Sequence, residues 1–437
     1  MKKRLLFVLL LISFIFIAGC VPAEEKTGKG LAEGTEKVEV PGTASSEGLG
    51  SICSDQEECG TFCHDNKGRC TQYCEEHPEN DLCVVIFPFQ ARGVDSSLCQ
   101  GTKIRFDQPP VNLEETELFL PLGLMAGGHV TPIDHHYFQN FANQEDDIEV
   151  YSPGDGIVTE IQHMGGGPPG KDYRVVIQHT CTISTIFIHI QVLADKLKAV
   201  APENYAGVNV PVKAGEVIGW YKNNVDFNVV DTEVTLSGFI VPEHYDGEPW
   251  KIHVPNTYEY FNEPVKNILI AKSVRTIEPI AGKIDYDIDG KLVGNWFEEG
   301  SNGYTGDGSK GVDYYKTHLS FTYDFMDPSL IIVSLGNFNG EPRQYAVKGN
   351  SPDPAKISRD SGMVKYELVS WGYTTENGQE WDKTKLAKVI KATEGTHVDG
   401  TALVQMLEDR KIKFETFPSK TAEEVTEFTS NARIYER

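Results

Sequence analysis

The sequence is poor in positive charge and in long apolar segments. Forty Lys and Arg residues stand against 64 Asp and Glu residues, and the formal net charge is −24. Nucleic acids are bound through clustered positive charge, and the chain has no basic patch. The apolar run Leu5–Phe16 is too short to cross a bilayer comfortably. We therefore expect neither a nucleic-acid partner nor a transmembrane anchor.

Several catalytic signatures are also missing. The chain has no Gly-x-Ser-x-Gly elbow, and its cysteines are not spaced as C-x-x-C pairs. The glycine-rich stretch at residues 165–170 lacks the spacing of a phosphate-binding loop. These absences argue against a serine hydrolase, a zinc site among the clustered cysteines and a nucleotide site. The cysteines also suit disulfides better than a thiolate nucleophile.

The N-terminus has the pattern of a lipoprotein signal peptide. Three basic residues at 2–4 precede the apolar run, which ends in Ile17-Ala18-Gly19-Cys20. In such a segment cleavage occurs before the cysteine, and the cysteine sulfur is lipidated. We expect residues 1–19 to be removed and lipid on Cys20 to anchor the protein to the outer face of the cell membrane. The mature chain would then carry a net charge of −27, since three positive residues are lost.

The next two segments are predicted to be a flexible tether and a disulfide-rich unit. Residues 20–50 contain hardly any large apolar side chain and cannot offset the entropy of ordering. Six cysteines lie from Cys53 to Cys83, within residues 51–90. We expect them to form three disulfides that stabilise this segment, and 15 pairings are possible. Cys99 and Cys181 remain and could pair with each other.

The remaining chain is predicted to be mainly β. Short apolar or alternating runs separated by Gly and Pro indicate an antiparallel sheet over 95–275, interrupted by one helix at Val192–Val200. Residues 276–437 are predicted to form a separate β-sandwich or barrel, because their strands have regular spacing and their turns are rich in Asn, Asp and Gly. The strand candidates there are Lys291–Phe297, Leu319–Phe325, Leu330–Leu335, Ala402–Leu407 and Ile412–Phe417.

Four stretches of the 95–275 region resemble, in order, the LytM/lysostaphin-type zinc endopeptidases. That family has a duplicated-hybrid-motif β-sheet with zinc in an open groove. The order of the stretches carries the resemblance, and the pair of strands followed by a Gly-containing loop is its most specific part. The stretches are Gly128–Asp134, Val150–Val158, Tyr173–His179 with Ser184–Ile190 and Val212–Trp220, and Val229–Val234.

The resemblance implies roles for individual residues. His129 and Asp134 stand where the family has two zinc ligands, although four residues separate them here and three in the family. His189 stands at the position of a catalytic histidine. The family closes its site with His-x-His, and the corresponding residues here are Val229 and Asp231. Asp231 would replace the third zinc ligand, whereas Val229 can replace no catalytic imidazole.

Two functions follow from this pattern. The favoured one is a non-catalytic binding or regulatory module at the cell envelope, with a wall polymer or an envelope protein as partner. The alternative is an active zinc endopeptidase that cleaves wall peptides or envelope proteins. It would gain support if Trp250–Val254 were a strand that brings His253 to the groove. Trp296, Tyr314 and Tyr315 in the last region are candidates for stacking on a sugar.

Overall fold

A computed structural model of the chain describes residues 101–145, 147–164, 172–202, 205–307 and 313–437. The predicted signal peptide, Cys20, the tether and the six-cysteine segment lie outside these residues and stay predictions. Cys181 takes part in a disulfide bond, and its partner also lies outside them. Within the described residues, no helix is long and apolar enough to cross a bilayer.

The first half of the described chain forms two antiparallel sheets. The larger has seven strands in the order β1-β2-β10-β6-β5-β4-β8, and the smaller has three in the order β3-β9-β7. The strands are β1 Leu118–Leu120, β2 His136–Gln139, β3 Ile148–Tyr151, β4 Gly156–His163, β5 Tyr173–Gln178, β6 Ile183–Ile190, β7 Val192–Leu193, β8 Tyr205–Val212, β9 Val217–Tyr221 and β10 Asn224–Asp231.

The main core lies between these two sheets. Ile148 of β3 and Ile218 of β9 pack with Phe187 of β6 and Phe227 of β10 in one buried cluster. Because side chains alternate along a strand, only every second residue of the larger sheet can reach this core. The side chains on the opposite face of the larger sheet are therefore available for contacts with other parts of the chain.

Two α-helices occur in the described residues, and they differ from the prediction. The helix predicted over Val192–Val200 is confined to α1, Asp195–Lys198, because Val192 and Leu193 instead pair with β9 as strand β7. The second helix, α2 Val265–Lys272, buries Val265 and Leu269, which lie one turn apart. Residues Pro249–His253 form a 3-10 helix that begins at a proline, not the strand considered for Trp250–Val254.

The second half forms a closed antiparallel barrel of eight strands, so the barrel alternative of the prediction is confirmed. Each strand pairs with the next along the chain, and β11 pairs with β18 to close the ring. All five predicted strand positions fall on barrel strands. The strands are β11 Gly294–Glu298, β12 His318–Tyr323, β13 Ile331–Phe338, β14 Glu341–Val347, β15 Met363–Thr375, β16 Ile390–Glu408, β17 Lys411–Pro418 and β18 Arg433–Glu436.

Side chains fill the barrel, and its outer surface packs against the first half. Trp296, Phe321 and Tyr366 are buried in the barrel's core, so Trp296 is not free to stack on a sugar. On the outside, Met125 belongs to a cluster with Leu330, Ile332 and other barrel residues. The barrel thus contacts the segment between β1 and β2, which contains His129 and Asp134.

Candidate functional site

The alternation of strand β10 creates a polar face on the larger sheet. Val225 and Phe227 point into the core, so Asp226 and Asn228 point to the opposite face. Asp226 and Asn228 are nonetheless buried, at 3% and 2% exposure. In the neighbouring strand, Tyr137 lies directly opposite Asp226 on the same face. The site is built around these buried polar residues.

The same alternation separates two consecutive histidines at the start of β2. His136 points to the core side, where its ring nitrogens lie 3.1 Å from the Leu120 carbonyl oxygen and 3.0 Å from Thr257 Oγ1. Burial lowers the pKa of His136 to about 3, so this ring is neutral. His135 precedes the strand and points to the polar face. Of the two histidines, only His135 therefore joins the site.

His135 connects two buried carboxylates. Its Nε2 lies 3.0 Å from Asp226 Oδ2, and its Nδ1 lies 3.6 Å from Asp134 Oδ1. Further ionisable groups extend this arrangement on both sides. The resulting group, named the charged cluster below, consists of Asp134, His135, Asp172, His189, Asp226 and Lys251.

Electrostatics keep the charged cluster ionised. Burial would lower the pKa of His135, but the charge of Asp226 and the hydrogen bonds that His135 donates to both carboxylates raise it to about 9. Burial would raise the pKa of Asp134, but Lys251 and His135 outweigh burial and hold the pKa well below its usual value. The pKa of Asp226 is also lowered against burial, by His135 and His189. Near neutral pH Asp134 and Asp226 are therefore negative and His135 is positive.

His189 reaches the cluster through an irregular backbone. Its φ is +73°, a left-handed value that is uncommon for any residue other than glycine. The register of β5 against β6 shifts at this point, which is a β-bulge that turns the His189 ring toward Asp226. Nε2 lies 3.5 Å from Asp226 Oδ2, and Nδ1 lies 3.1 Å from Asp172 Oδ1. Burial opposes protonation, but these carboxylates raise the pKa of His189.

Lys251 enters the cluster from the 3-10 helix Pro249–His253. Its side chain is 0% exposed, and Nζ lies 3.6 Å from Asp134 Oδ1 and 4.9 Å from the centre of the Tyr304 ring. Glu248 stands just before this helix, and burial together with the charge of Asp134 raises its pKa to about 7. The sequence did not single out Lys251, because the stretch Trp250–Val254 was considered only as a strand that could present His253.

His129 and Asp134 lie in the segment between β1 and β2, close to the charged cluster. The His129 ring is half-buried, with its centre 6.2 Å from that of His135. Burial lowers the pKa of His129 to about 4, so the ring is neutral. The tip of the segment contacts the barrel, where Gln344 accepts a hydrogen bond from the Gly127 amide and donates one to the Gly127 carbonyl, each at 3.0 Å.

The structure brings together three of the four predicted protein-site residues. His129, Asp134 and His189 meet at the polar face, but Asp231 does not. Asp231 lies at the far end of β10, where it pairs with Ile183 and accepts a hydrogen bond from the Tyr260 hydroxyl at 2.6 Å. Five residues of strand, roughly 16 Å, separate it from Asp226, and an odd separation places the two side chains on opposite faces. The acid of β10 that reaches the site is Asp226.

Other histidines have structural surroundings. The two ring nitrogens of His179 lie 3.0 Å from the Asp155 carbonyl oxygen and 2.9 Å from Thr185 Oγ1. His253 Nδ1 lies 2.6 Å from the carbonyl oxygen of Val234. Neither makes an ion pair with a member of the charged cluster, so His189 and His135 are its two imidazoles.

The donor set does not suit a zinc ion. In the part of the chain that the structure describes, no three His, Cys, Asp or Glu side chains come close enough to hold a metal. His129, Asp134 and Asp226 offer one nitrogen and two carboxylates. However, each carboxylate already faces His135, and Asp134 also faces the Lys251 ammonium. Zinc ligands must be free of competing cations, and this arrangement does not meet that condition.

Comparisons with known proteins add little to this description. No protein-family model matches the chain, and no curated protein matches it. Among solved structures, a zinc-containing peptidase from Vibrio cholerae is similar at 19% sequence identity with a TM-score of 0.21. The similarity covers 29% of this chain and 36% of that one. A TM-score this low does not establish a common fold.

Proposed function

We propose that this protein is a cell-surface lipoprotein whose sheet domain is a degenerate duplicated-hybrid-motif domain, related to the LytM/lysostaphin-type endopeptidases. In this proposal the domain no longer hydrolyses peptides, and it serves as a binding or regulatory module at the cell envelope. A wall polymer or an envelope protein is the proposed partner. The lipid on Cys20 would hold the module at the outer face of the membrane.

One observation carries the proposal: the two carboxylates that meet at the site, Asp134 and Asp226, are neutralised by cations of the same chain. His135 faces both Asp134 and Asp226, and Lys251 faces Asp134. A divalent ion about 4 Å from an ammonium is repelled by roughly 8 kcal/mol at an effective dielectric constant of 20. Metal binding would have to overcome this repulsion and remove the proton from His135.

The catalytic side of the family resemblance is also incomplete. The family uses histidines outside the metal shell to move protons, and the cluster contains one at the matching position, His189. The second histidine of the family would come from strand β10. The residue two positions before Asp226 in this strand is Asn224. An amide cannot exchange a proton near neutral pH as an imidazole does. This composition supports binding over hydrolysis.

The alternative, an active zinc endopeptidase, has one specific observation in its favour. Asp134 Oδ2 and Asn228 Oδ1 are buried, and neither has a hydrogen-bond donor within the described residues. Buried acceptors without donors are costly, and a cation would relieve that cost. The two functions differ in whether the wild-type protein holds a metal.

The deciding experiment measures zinc in the purified full-length protein and hydrolysis of wall peptides by the same sample. We expect far less than one zinc per chain after dialysis against micromolar zinc, and no peptide cleavage above the background without protein. The measurements are elemental analysis by mass spectrometry and chromatography of the digested peptides.

Two variants serve as matched controls for this experiment. Asp226→Ala removes the β10 acid that reaches the cluster, and Asp231→Ala removes one that does not. Stoichiometric zinc that is lost in Asp226→Ala and kept in Asp231→Ala, together with peptide cleavage, would refute the proposal and establish the peptidase alternative.

A further inference from the structure

Strand β8 is an open edge of the larger sheet. It pairs with β4 on one side, and in the part of the chain that the structure describes no strand pairs with its other side. Gly207, Asn209 and Pro211 are exposed along it. An edge strand presents backbone amide and carbonyl groups to which a further strand can bind.

The other sheet edges within the described residues are short, bordered by other segments or charged. β1 has three residues and forms a bridge with Ser273, and β3 forms one with Val111. β7 has two residues. Where the longest barrel strands extend past their neighbours, β15 is bordered by residues 379–381, and β16 carries the exposed charges of Lys391 and Glu394. β8 is therefore the exception among these edges.

The composition of β8 favours the addition of a strand. Proteins block exposed edges with charged side chains, proline and bulges. β8 has a bulge against β4 and has Pro211 near its C-terminal end, where the Pro211 carbonyl accepts a hydrogen bond from Lys196 Nζ. However, Tyr205–Val212 contains no charged residue, and three of its eight residues are valine, which favours strands. The open part of the edge is Tyr205–Val210.

A second copy of the same strand fits this edge. When two identical strands pair antiparallel about a two-fold axis, a charged residue on one strand comes close to its own copy on the other. Like charges that face each other across a strand pair are destabilising. The lack of charge in β8 removes this repulsion, and it also leaves no charged side chain by which a foreign peptide could be selected.

We propose that two copies of this protein pair through strand β8, antiparallel about a two-fold axis, so that their larger sheets become continuous. The inference goes beyond the proposed function and does not depend on it, because β8 contains no residue of the charged cluster. One strand pair is a small contact, and the dimer should be weak in solution. Two linked copies would bind a repeating partner more tightly than one copy does.

The net charge of the protein gives the first test. Each copy carries a formal net charge of −24, so two copies repel each other at long range. Raising NaCl from about 0.01 M to about 0.15 M shortens the screening length from roughly 30 Å to roughly 8 Å. We expect sedimentation equilibrium of the purified full-length protein to show a reversible dimer that becomes tighter over this range.

Two isosteric substitutions test the position of the contact. Asn209→Asp places a charge on the β8 edge, and Asn377→Asp makes the same change of net charge at an exposed residue between β15 and β16. We expect Asn209→Asp to raise the dissociation constant of the dimer about tenfold, because edge charges oppose strand addition. Asn377→Asp should change it by less than about twofold, since exposed charges more than roughly 8 Å apart are screened at about 0.15 M salt.

Amide hydrogen exchange locates the interface directly. In the wild-type protein, peptides that cover residues 205–210 should exchange more slowly as the protein concentration rises, and Asn209→Asp should abolish that dependence. A monomer at every concentration would refute the proposal. So would a dimer that both substitutions weaken equally, because net charge and not the β8 edge would then control association. Slow exchange at residues 205–210 that does not depend on concentration would show that the edge is covered within one chain, which also overturns the proposal.

Discussion

His189 has a backbone conformation that its residue type disfavours. At a φ of +73° a side chain crowds the following carbonyl group, at a cost of about 1–2 kcal/mol for an L-residue. The bulge nevertheless brings the imidazole to Asp172 and Asp226, which strand alternation alone would not allow. Backbone strain of this kind is concentrated at functional sites. The geometry of His189 therefore supports a role for the cluster in binding.

The strain at His189 can be measured with a pair of substitutions. His189→Gly and His189→Ala both remove the imidazole and its contacts with the two carboxylates. We expect the glycine variant to be the more stable by about 1 kcal/mol, because glycine adopts positive φ without a steric penalty. Chemical denaturation followed by circular dichroism would give the two free energies of unfolding.

His163 provides the control for this comparison. It lies at the end of β4, is half-buried, and is absent from the residues with positive φ. There the order should be reversed, with glycine less stable than alanine by about 0.5–1 kcal/mol. If the alanine variant were the more stable one at both positions, the backbone of His189 would not be strained.

At the scale of an element, the segment between β1 and β2 depends on the barrel for its position. Backbone hydrogen bonds such as Ile133 N–H to the Leu124 carbonyl oxygen connect it internally, and the barrel adds side-chain contacts. Gln344 of β14 binds both backbone groups of Gly127. At Gly128, a Cβ atom would lie 2.9 Å from the Tyr315 ring, so only glycine fits there. The Tyr315 ring therefore packs against this segment, and its role in sugar binding stays a prediction.

Gln344→Ala tests this dependence. Loss of the two exposed hydrogen bonds with Gly127 and of the one that Gln344 donates to Ser334 Oγ should lower the free energy of unfolding by roughly 1–2 kcal/mol. Amide hydrogen exchange over residues 123–133 should become faster, because local opening no longer breaks those bonds. Mass spectrometry of peptides would follow the exchange. Gln405→Ala is the control, because Gln405 is a half-buried barrel glutamine that lines a separate surface depression, and exchange in the segment should not change. Equal exchange rates in the two variants would show that the segment does not depend on Gln344.

Strands were easier to predict from the sequence than the site. Short apolar or alternating runs identified five of the eight barrel strands, together with β5 and β6, because burial of one face imposes that period. This pattern could not determine which acid of β10 reaches the site, because Asp226 and Asp231 each follow an apolar residue. Only the pairing of Asp226 with Tyr137 and Ile188 decides which acid meets His189. Lys251 was missed because the alternation of its stretch suggested a strand that presents His253, whereas the residues form a 3-10 helix.

At the scale of the whole molecule, the proposed anchor can be tested independently of the site. If Cys20 is the lipidated residue, growth with an alkyne analogue of palmitate should label the protein, and Cys20→Ser should reduce the label to background. Cys83→Ser, which changes a cysteine outside the signal peptide, should keep the label. In-gel fluorescence after coupling to a dye gives the result. Equal labelling of Cys20→Ser and the wild type would exclude this anchor.

The shared packing of sheet domain and barrel has a consequence for how this architecture can evolve. Met125 lies among barrel residues, and Leu120 belongs to another cluster with Phe325 and Met326. If recombination exchanged the barrel for an unrelated domain, these apolar side chains would face water, and the segment with His129 and Asp134 would lose its support. The two halves must therefore be inherited together, and substitutions at their contact should accumulate in compensating pairs.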